Sequence, residues 1–548
     1  MDNQMFESTA ERTFQYQQGL PPLPVPSLEG TLSKYLDAVK PFASDAEFHN
    51  TEAIVKRFGE GIGRHLHQKL LQRASNRRNW LEDWWLDSAY LESRMPSQLN
   101  SNFGGPGPYL EHCWPPCDGT QLERTSMIVW QTLQYWELVR TEKLAIHKAG
   151  NVPFDMDQFR MIFCTCKVPG ITKDTILNYF KTESEGPCPS HLVVICRGRF
   201  FAFDVLCNGR IMTPPEILRQ LTYIKERCDG EPVGDGVSAL TSEERTRWAE
   251  TRQHLISIDP ANKTILETIQ SSLFVVALDN AKPYSTPEDY TSMTLLSLTG
   301  DPTLRWGDKS YNKIGFADGT FVSNCDVNKG SEVVRSVPAP EELVFTVDDR
   351  VRRDIALAKE QYRKTVSLSL SLSLSLNYTS CACAFEHFYK QHRCAQQGCS
   401  QIFLLLGLCT GWSFRVLERW MYSHSYNIWI FCIFMYSGFD RHLLGLYLIA
   451  KEEGLPVPEL YSDPLYAKSG GGGNFVLSSS LVGYTTVLGA VTPMVNHGYG
   501  FFYRIRDDRI VAACTAWKSC PETNAETFFH NLCTSLHEMM QVTTLSQL

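Results

Sequence analysis

Positive charge is scarce in this sequence of 548 residues. Lysine and arginine number 52 against 60 acidic residues, which gives a formal net charge of -8. Proteins that bind long polyanions or anionic membrane surfaces carry an excess or a patch of positive charge. The composition therefore argues against nucleic acid as a partner. A hydrophobic fraction of 43% indicates an ordinary globular chain, and its length predicts at least two large domains.

Segments that would take the chain to a membrane are also missing. Residues 1–8 contain neither a basic nor an apolar stretch, so we expect no secretory signal and a reducing compartment. The apolar runs at 402–414 and 426–436 fall short of the ~20 residues that a membrane-spanning helix needs. We therefore expect no membrane span, and we expect the 18 cysteines to be buried thiols.

Spacings typical of metal or phosphate binding are absent as well. Cys164-Thr165-Cys166 has no second pair at a zinc-ligand spacing. The cysteines and histidines within 381–399 follow no ligand pattern either. The glycine run at 470–473 is not followed by the Gly-Lys-Ser/Thr of a phosphate loop. We expect no metal and no permanently bound cofactor.

The elements that the sequence does predict alternate between strands and helices. Residues 191–196 and 199–205 are apolar and flank Arg197-Gly198, which predicts a β-hairpin. A further strand is predicted at 272–278, whereas periodicity leaves 128–138 open between helix and strand. This alternation indicates the α/β class.

Apolar residues at helical spacing predict helices at both ends of the chain. One helix is expected over 28–39, and a second, continuous one through 55–70. The aromatic residues of 80–90 are expected to be core by the same spacing. Near the C-terminus, Thr523 and Glu526 predict a capping box at the start of the last helix.

A repeat interrupts this pattern at 367–376, where Ser-Leu occurs five times in succession. Alternation with period two also fits a half-buried strand. Packing does not ask for identical side chains at every position, so the perfection of the repeat favours a translated dinucleotide microsatellite instead. We therefore treat 366–437 as a low-complexity segment foreign to the rest of the chain.

Several ordered motifs identify a family resemblance. They lie in the segments 21–35, 305–326, 438–446, 478–480, 498–500 and 519–523. Together they resemble the carnitine/choline acyltransferase family along 1–326, 330–365 and 438–548. Details at 241–249 and 468–475 are similar to the members that act on medium-chain acyl groups.

The resemblance implies a fold and a domain organisation. It implies two α/β domains of the chloramphenicol-acetyltransferase type with a substrate tunnel between them, the C-terminal one disrupted. Residues 1–90 would be helices that pack on the C-terminal domain. The first acyltransferase domain would cover 91–345 and the second 346–548, including the foreign segment.

The resemblance also locates the catalytic base, which is missing. The family has a histidine after the aspartate that here is Asp326, whereas this chain has Val327. A valine side chain has no lone pair and cannot accept a proton. No catalytic residue can therefore be assigned from the sequence.

Other positions carry implied roles in binding. The serines Ser478 and Ser480 would line the substrate strand, with Ser480 donating to the oxyanion, and Arg441 would pair with the carnitine carboxylate. The absence of a side chain at Gly489 would open the acyl pocket, although a strand glycine also fits a bulge. The resemblance places Tyr90 beside the tunnel.

Two classes of function follow from these positions. The first is a carnitine acyltransferase that moves a medium-chain, octanoyl-like group between coenzyme A and carnitine, in a version without its histidine. The alternative is a splice or gene-model variant that is a non-enzymatic binding protein or an unstable product. Coenzyme A would be a co-substrate, and we expect a monomer. Ser546-Gln547-Leu548 is similar to a peroxisomal import signal, which predicts the peroxisome, otherwise the cytoplasm.

Overall fold

A computed structural model describes much of the chain. The described residues are 10–106, 119–149, 151–286, 289–322, 337–367, 373–376, 439–469, 471, 476–481, 489–505 and 510–545. Within them no helix is both long enough and apolar enough to cross a membrane. Helices and strands are mixed throughout the described residues, which confirms the predicted combination of the two.

The helices are numbered here in chain order. They are α1 Leu28–Val39, α2 Asp45–Glu60, α3 Ile62–Ser75, α4 Glu82–Leu86, α5 Ser97–Asn100, α6 Gln121–Arg140, α7 Pro214–Asp229, α8 Arg245–Ile258, α9 Pro260–Ser271, α10 Thr291–Thr299, α11 Asp349–Ser367, α12 Phe439–Glu452, α13 Glu459–Ser462, α14 Pro464–Lys468 and α15 Ala525–Leu545. The region that periodicity left open is thus part of the helix α6.

The strands are β1 Phe103–Gly104, β2 Lys148–Ala149, β3 Val152–Pro153, β4 Thr165–Val168, β5 Thr175–Asn178, β6 His191–Cys196, β7 Arg199–Asp204, β8 Leu206–Cys207, β9 Arg210–Ile211, β10 Val275–Asp279, β11 Asn312–Phe316, β12 Phe321–Val322, β13 Glu341–Leu343, β14 Ser373–Leu376, β15 Leu477–Leu481, β16 Ala490–Val491, β17 Tyr499–Ile505 and β18 Ile510–Ala516. A six-stranded sheet has the order β12-β11-β10-β6-β7-β13, and a four-stranded sheet has the order β14-β18-β17-β15.

The six-stranded sheet is buried on both faces at its centre. Strand β10 runs parallel to β6 on one side and to β11 on the other. Val275 and Ala277 enter one apolar cluster, whereas Val276 and Leu278 enter a second cluster on the opposite face. Successive side chains of a strand point to opposite faces, so burial on both sides requires an uninterrupted apolar run. This explains the composition of 272–278.

The predicted hairpin is confirmed. Strands β6 and β7 pair antiparallel with His191 opposite Asp204. Arg197 and Gly198, which connect them, both have positive φ, at 49° and 73°. Two such residues form the type of tight turn whose twist matches that of the flanking strands.

Helices from both ends of the chain share one apolar cluster. Leu28 of α1, Phe58 of α2 and Leu70 of α3 pack with Leu443 and Leu446 of α12. At the centre lies a polar contact, because Nδ1 of the buried His442 is 2.7 Å from the Thr31 hydroxyl. His442 Nε2 is in turn 3.1 Å from His67 Nδ1.

Three local predictions are wrong. The helix expected through 55–70 is two helices, α2 and α3, which meet at Gly61, and Ile62 is exposed. Within the aromatic segment, Trp80 and Trp84 are buried as predicted, but Trp85 is exposed. The last helix is capped by Asn524 and not by Thr523, since Asn524 Oδ1 accepts a hydrogen bond from the Thr527 amide at 2.9 Å.

The Ser-Leu repeat also contains a strand. Ser373–Leu376 forms β14, which pairs antiparallel with β18, so the strand interpretation holds for these four residues. The pairing is irregular, with a register shift between Leu374 and Leu376. The rest of the segment 368–437 lies outside the described residues, as do Val327 and Ser546-Gln547-Leu548.

A buried ionic cluster joins three segments of the chain. The guanidinium of Arg245 at the start of α8 is 2.7 Å from Asp174 and 2.6 Å from Asp308. All three side chains are almost completely inaccessible to solvent. Asp308 also accepts a hydrogen bond from the indole of Trp248, and Asp174 pairs with Arg94 at 3.1 Å. The loop before β5, helix α8 and the loop before β11 are thereby fixed to one another.

Removing one charge from this cluster should destabilise the protein strongly. Asp174→Asn removes the carboxylate that pairs with Arg94 and one of the two that pair with the buried Arg245, and breaking a buried ion pair in this way costs about 3–5 kcal/mol in the free energy of unfolding. Glu267→Gln, which breaks the exposed pair between Lys263 and Glu267, is the matched control and should cost less than about 1 kcal/mol. Urea titrations followed by tryptophan fluorescence measure both values, and equal losses would contradict the expectation.

The histidine contact predicts a dependence of stability on pH. Burial, and secondly the nearby His67, lower the pKa of His442 to about 3. Between the ordinary histidine pKa of about 6.5 and this value only the unfolded chain binds the proton, so stability is lost as the pH falls. Urea titrations at several pH values measure the free energy of unfolding. The amount by which that of the unmodified chain exceeds that of His442→Asn should decrease from pH 7 to pH 4. A constant difference would contradict this.

Candidate active site

A cavity of about 250 Å³ lies beside the end of β12. Strand β12 ends at Val322, and the chain then continues toward Val327. The lining residues come from α5, β1, β4, β5, α10 and β11 and from the loops next to them; they are Ser97, Gln98, Ser101, Asn102, Phe103, Thr165, Lys167, Ile176, Ser297, Arg305, Gly307, Asp308, Lys309, Ser310, Asn312, Ile314 and Val322. Val322, which lines this cavity, is the last described residue before position 327.

Cationic side chains dominate the charge around this cavity. Lys167 Nζ donates to the Ser97 hydroxyl and lies 3.9 Å from Asp174, so it belongs to the ionic cluster around Arg245. Burial is the main cause that lowers the pKa of Lys167. Arg305 is neutralised separately by Asp279 at 2.8 Å. The cluster of Arg94, Arg245 and Lys167 with Asp174 and Asp308 thus makes the wall beside Ser97 electropositive.

Lys309 is the second buried lysine of the cavity wall. Its ammonium group donates to the backbone oxygen of Gln270 at 2.6 Å. Complete burial lowers the pKa of Lys309 to about 8, because an apolar environment disfavours the charged form. Its charge is therefore more easily lost than that of an exposed lysine. The lining residues within the described ranges include no histidine.

The predicted serines lie on a strand of the four-stranded sheet. Ser478 of β15 is paired with Gly500 of β17 in parallel register, and Ser480 follows two positions later on the same strand. The side chain of Ser480 lies outside the described part of the chain. A Cβ at Gly500 would collide with the Thr515 hydroxyl and the Val491 backbone. Glycine at this position therefore allows β16 to lie close to β17.

Gly489 lies at a backbone crossing between the two halves of the chain. It precedes β16, which pairs antiparallel with β1, so that Gly104 faces Ala490. A Cβ at Gly489 would lie 2.5 Å from the carbonyl oxygen of Gly104, and one at Gly105 would collide with Gly489 itself. The close approach of two backbone segments is therefore a sufficient reason for glycine at 489. The acyl-pocket role stays a prediction.

The two remaining predicted site residues are exposed. Arg441 lies on the first turn of α12 with its side chain in solvent. Tyr90 is 43% exposed and belongs to a π-helical turn, Asp87–Leu91. Ser478 lies on the four-stranded sheet, whereas Gly489 precedes β16 of the separate two-stranded sheet β1-β16. None of Ser478, Gly489, Arg441 and Tyr90 is among the residues that line the cavity.

His442, the neighbour of Arg441, is a core residue. Its contacts with Thr31 and His67 occupy both ring nitrogens, and its low pKa keeps it neutral. It faces the N-terminal helices α1 and α3. Nowhere in the described ranges do three or more His, Cys, Asp or Glu side chains come together as metal ligands would.

Sequence reasoning missed the ionic cluster and the lysines of the cavity. Asp308 and Lys309 were part of a recognised motif, but no role was assigned to them. The signal for this cluster was the presence of charged residues among the aromatic and apolar residues of 305–316. Charged side chains in or next to a buried strand are tolerated only where they are paired. The partners Asp174 and Arg245 lie far away in the sequence and could not be matched to them.

A model of the choline/carnitine O-acyltransferase family matches residues 23–329 and 435–534. Peroxisomal carnitine O-octanoyltransferase from Bos taurus is 53% identical over 615 aligned positions, with both chains fully covered. The protein of the same name from Homo sapiens is 51% identical over 99% of each chain. Carnitine O-acetyltransferase from Homo sapiens is 29% identical over 96% of this chain and 93% of its own.

The matches also locate the departure from the family. The family model leaves residues 330–434 unmatched, which includes the Ser-Leu repeat and the segment after it. The alignment with the bovine protein has 615 positions, more than the 548 residues of this chain, so the bovine protein has residues where this chain has none. The predicted resemblance is confirmed: the chain belongs to the choline/carnitine O-acyltransferase family.

Proposed function

We propose that this chain carries the scaffold of a carnitine acyltransferase for medium-chain acyl groups but lacks the base that the reaction needs. The observation that carries the proposal is the full-length identity of about half with proteins named peroxisomal carnitine O-octanoyltransferase, combined with valine at 327. The substrates would be an octanoyl-like acyl-coenzyme A and carnitine, with coenzyme A leaving as product.

The missing group acts on a proton. Transfer of an acyl group from a thioester to the carnitine hydroxyl requires that the hydroxyl proton be removed as the new bond forms. Val327 cannot accept it. His442 is held in the core and cannot take the place of the base. The described residues of the cavity wall include no histidine.

The remaining site residues retain their proposed roles. Ser480, with Ser478 on the same strand, would donate to the oxyanion of the tetrahedral intermediate, and Arg441 would pair with the carnitine carboxylate. Gly489 would leave space for the acyl chain. Tyr90 would line the tunnel between the two proposed domains, 91–345 and 346–548, with 1–90 packed on the second.

The cellular setting belongs to the same proposal. The relatives that match along their full length carry peroxisomal names, and Ser546-Gln547-Leu548 would be recognised by the import receptor. We propose that the chain is a peroxisomal monomer.

The alternative is a non-catalytic or unstable product of the same locus. It is favoured by one observation, the unmatched stretch 330–434 with its perfect repeat. Sequencing the transcript across the codons for 326–329 and 364–438 separates the two. An uninterrupted transcript that encodes the repeat supports a genuine variant, whereas a transcript with a family-like sequence at both places identifies the repeat as intron.

The catalytic proposal predicts that restoring one histidine will not restore the enzyme. Loss of a general base costs about 10²–10⁴ in rate, and the segment absent around 330–434 adds a further loss. We expect no measurable turnover from the unmodified chain and no normal turnover from Val327→His. A version in which both departures from the family, at 326–329 and at 364–438, are replaced by the bovine sequence should be active. Thiol release from octanoyl-coenzyme A in the presence of carnitine is the assay.

Each version also needs a check that it folds, so that inactivity is not mistaken for misfolding. A cooperative urea transition in tryptophan fluorescence provides this check. Ready turnover by the unmodified chain would show that the assignment of the base is wrong, and an inactive but folded rebuilt version would refute the proposed reaction.

A further inference from the structure

Two cysteines outside the cavity lie within reach of one another. The Sγ atoms of Cys164 and Cys188 are 3.9 Å apart, and the residues are separated by 24 positions in the sequence. Cys164 precedes β4 and is fully buried, with its amide donating to Leu273 and its carbonyl accepting from the Tyr179 amide. Cys188 is partly accessible and lies in a loop between Pro187 and Pro189. One sulfur is thus held by the backbone, and the other can be reached from solvent.

The surroundings shift the pKa values of the two thiols in opposite directions. The hydrogen bond from the Cys164 thiol lowers the pKa of Cys188 to about 7, and the Lys181 amide and the charge of Arg140 act in the same direction. The same hydrogen bond, together with burial, raises the pKa of Cys164. The thiolate is the nucleophilic form, so Cys188 is the member of the pair that reacts first.

We propose that Cys188 and Cys164 form an oxidation site at which a hydroperoxide closes a disulfide. The Cys188 thiolate attacks the terminal oxygen of the hydroperoxide and becomes a sulfenic acid, and the alcohol or water of the peroxide leaves with one proton. The Cys164 thiol then attacks this sulfur, the S–S bond forms, and the sulfenic oxygen leaves as water. The two thiols lose two electrons in total, which the hydroperoxide accepts.

Closing the bond requires only a local movement. The sulfur atoms must approach from 3.9 Å to about 2.05 Å. Because the backbone of Cys164 is anchored at Leu273 and Tyr179, the loop of Cys188 supplies the movement. The disulfide would tie this loop to the start of β4, the strand that brings Lys167 to the cavity.

The test exposes the full chain to hydrogen peroxide, blocks the remaining thiols and maps the peptides by mass spectrometry. We expect a Cys164–Cys188 cross-linked peptide, with the loss of two hydrogen atoms, as the main product. In Cys164→Ser the reaction should stop at a Cys188 sulfenic acid, which a dimedone-type probe captures. In Cys188→Ser both products should disappear. Absence of the cross-link in the unmodified chain, or an unchanged product in Cys188→Ser, would overturn the proposal.

The chain contains a matched control pair. Cys228 donates to the backbone oxygen of Cys196 at 3.5 Å, but both residues are fully buried. This pair should stay reduced under conditions that cross-link Cys164 and Cys188. In denaturing urea the preference for the Cys164–Cys188 cross-link should vanish, because it depends on the folded geometry. Equal oxidation of both pairs in the folded chain would also overturn the proposal.

Discussion

The position of Arg245 between Asp174 and Asp308 is the constraint on which much of the first half of the chain depends. A buried charge is tolerated only where counter-charges and hydrogen bonds replace the lost water. Meeting that requirement fixes the start of α8, the loop before β5 and the loop before β11 to one another. Asp308 of this cluster and Lys167, which lies next to Asp174, line the cavity. Its electropositive character is therefore a consequence of how the core is neutralised.

A second constraint joins the distant halves of the chain. The short ladder between β1 and β16 brings residues 103–104 next to residues 490–491, and glycines at 105 and 489 make this approach possible. Leu99, Tyr362 and Trp517 pack around the same contact in one apolar cluster. A side chain at Gly105 or Gly489 would have to displace backbone, so the crossing depends on glycine at both positions.

The scaffold and the chemistry of this chain have separate requirements. The residues that this chain shares with its family are spread over hundreds of positions. Most of the described helices and strands are packed by residues at such positions. Proton transfer depends on one side chain at one place. A chain can therefore share about half of its residues with its relatives over their full length without sharing their activity, because membership of a family does not establish that one particular side chain is in place.

The sequence by itself determined the elements whose signal is local. The hairpin at 191–204, the buried strand near 275, helix α1 and the family motifs all follow from residues close together along the chain. It also determined that valine occupies position 327. Tertiary structure alone decided the break at Gly61, the cap at Asn524, the exposure of Arg441 and Tyr90, and the contact of Cys164 with Cys188. The exposure of Arg441 and Tyr90 and the contact between the two cysteines depend on how separate segments of the chain pack, and periodicity and spacing carry no information about which of those segments will meet.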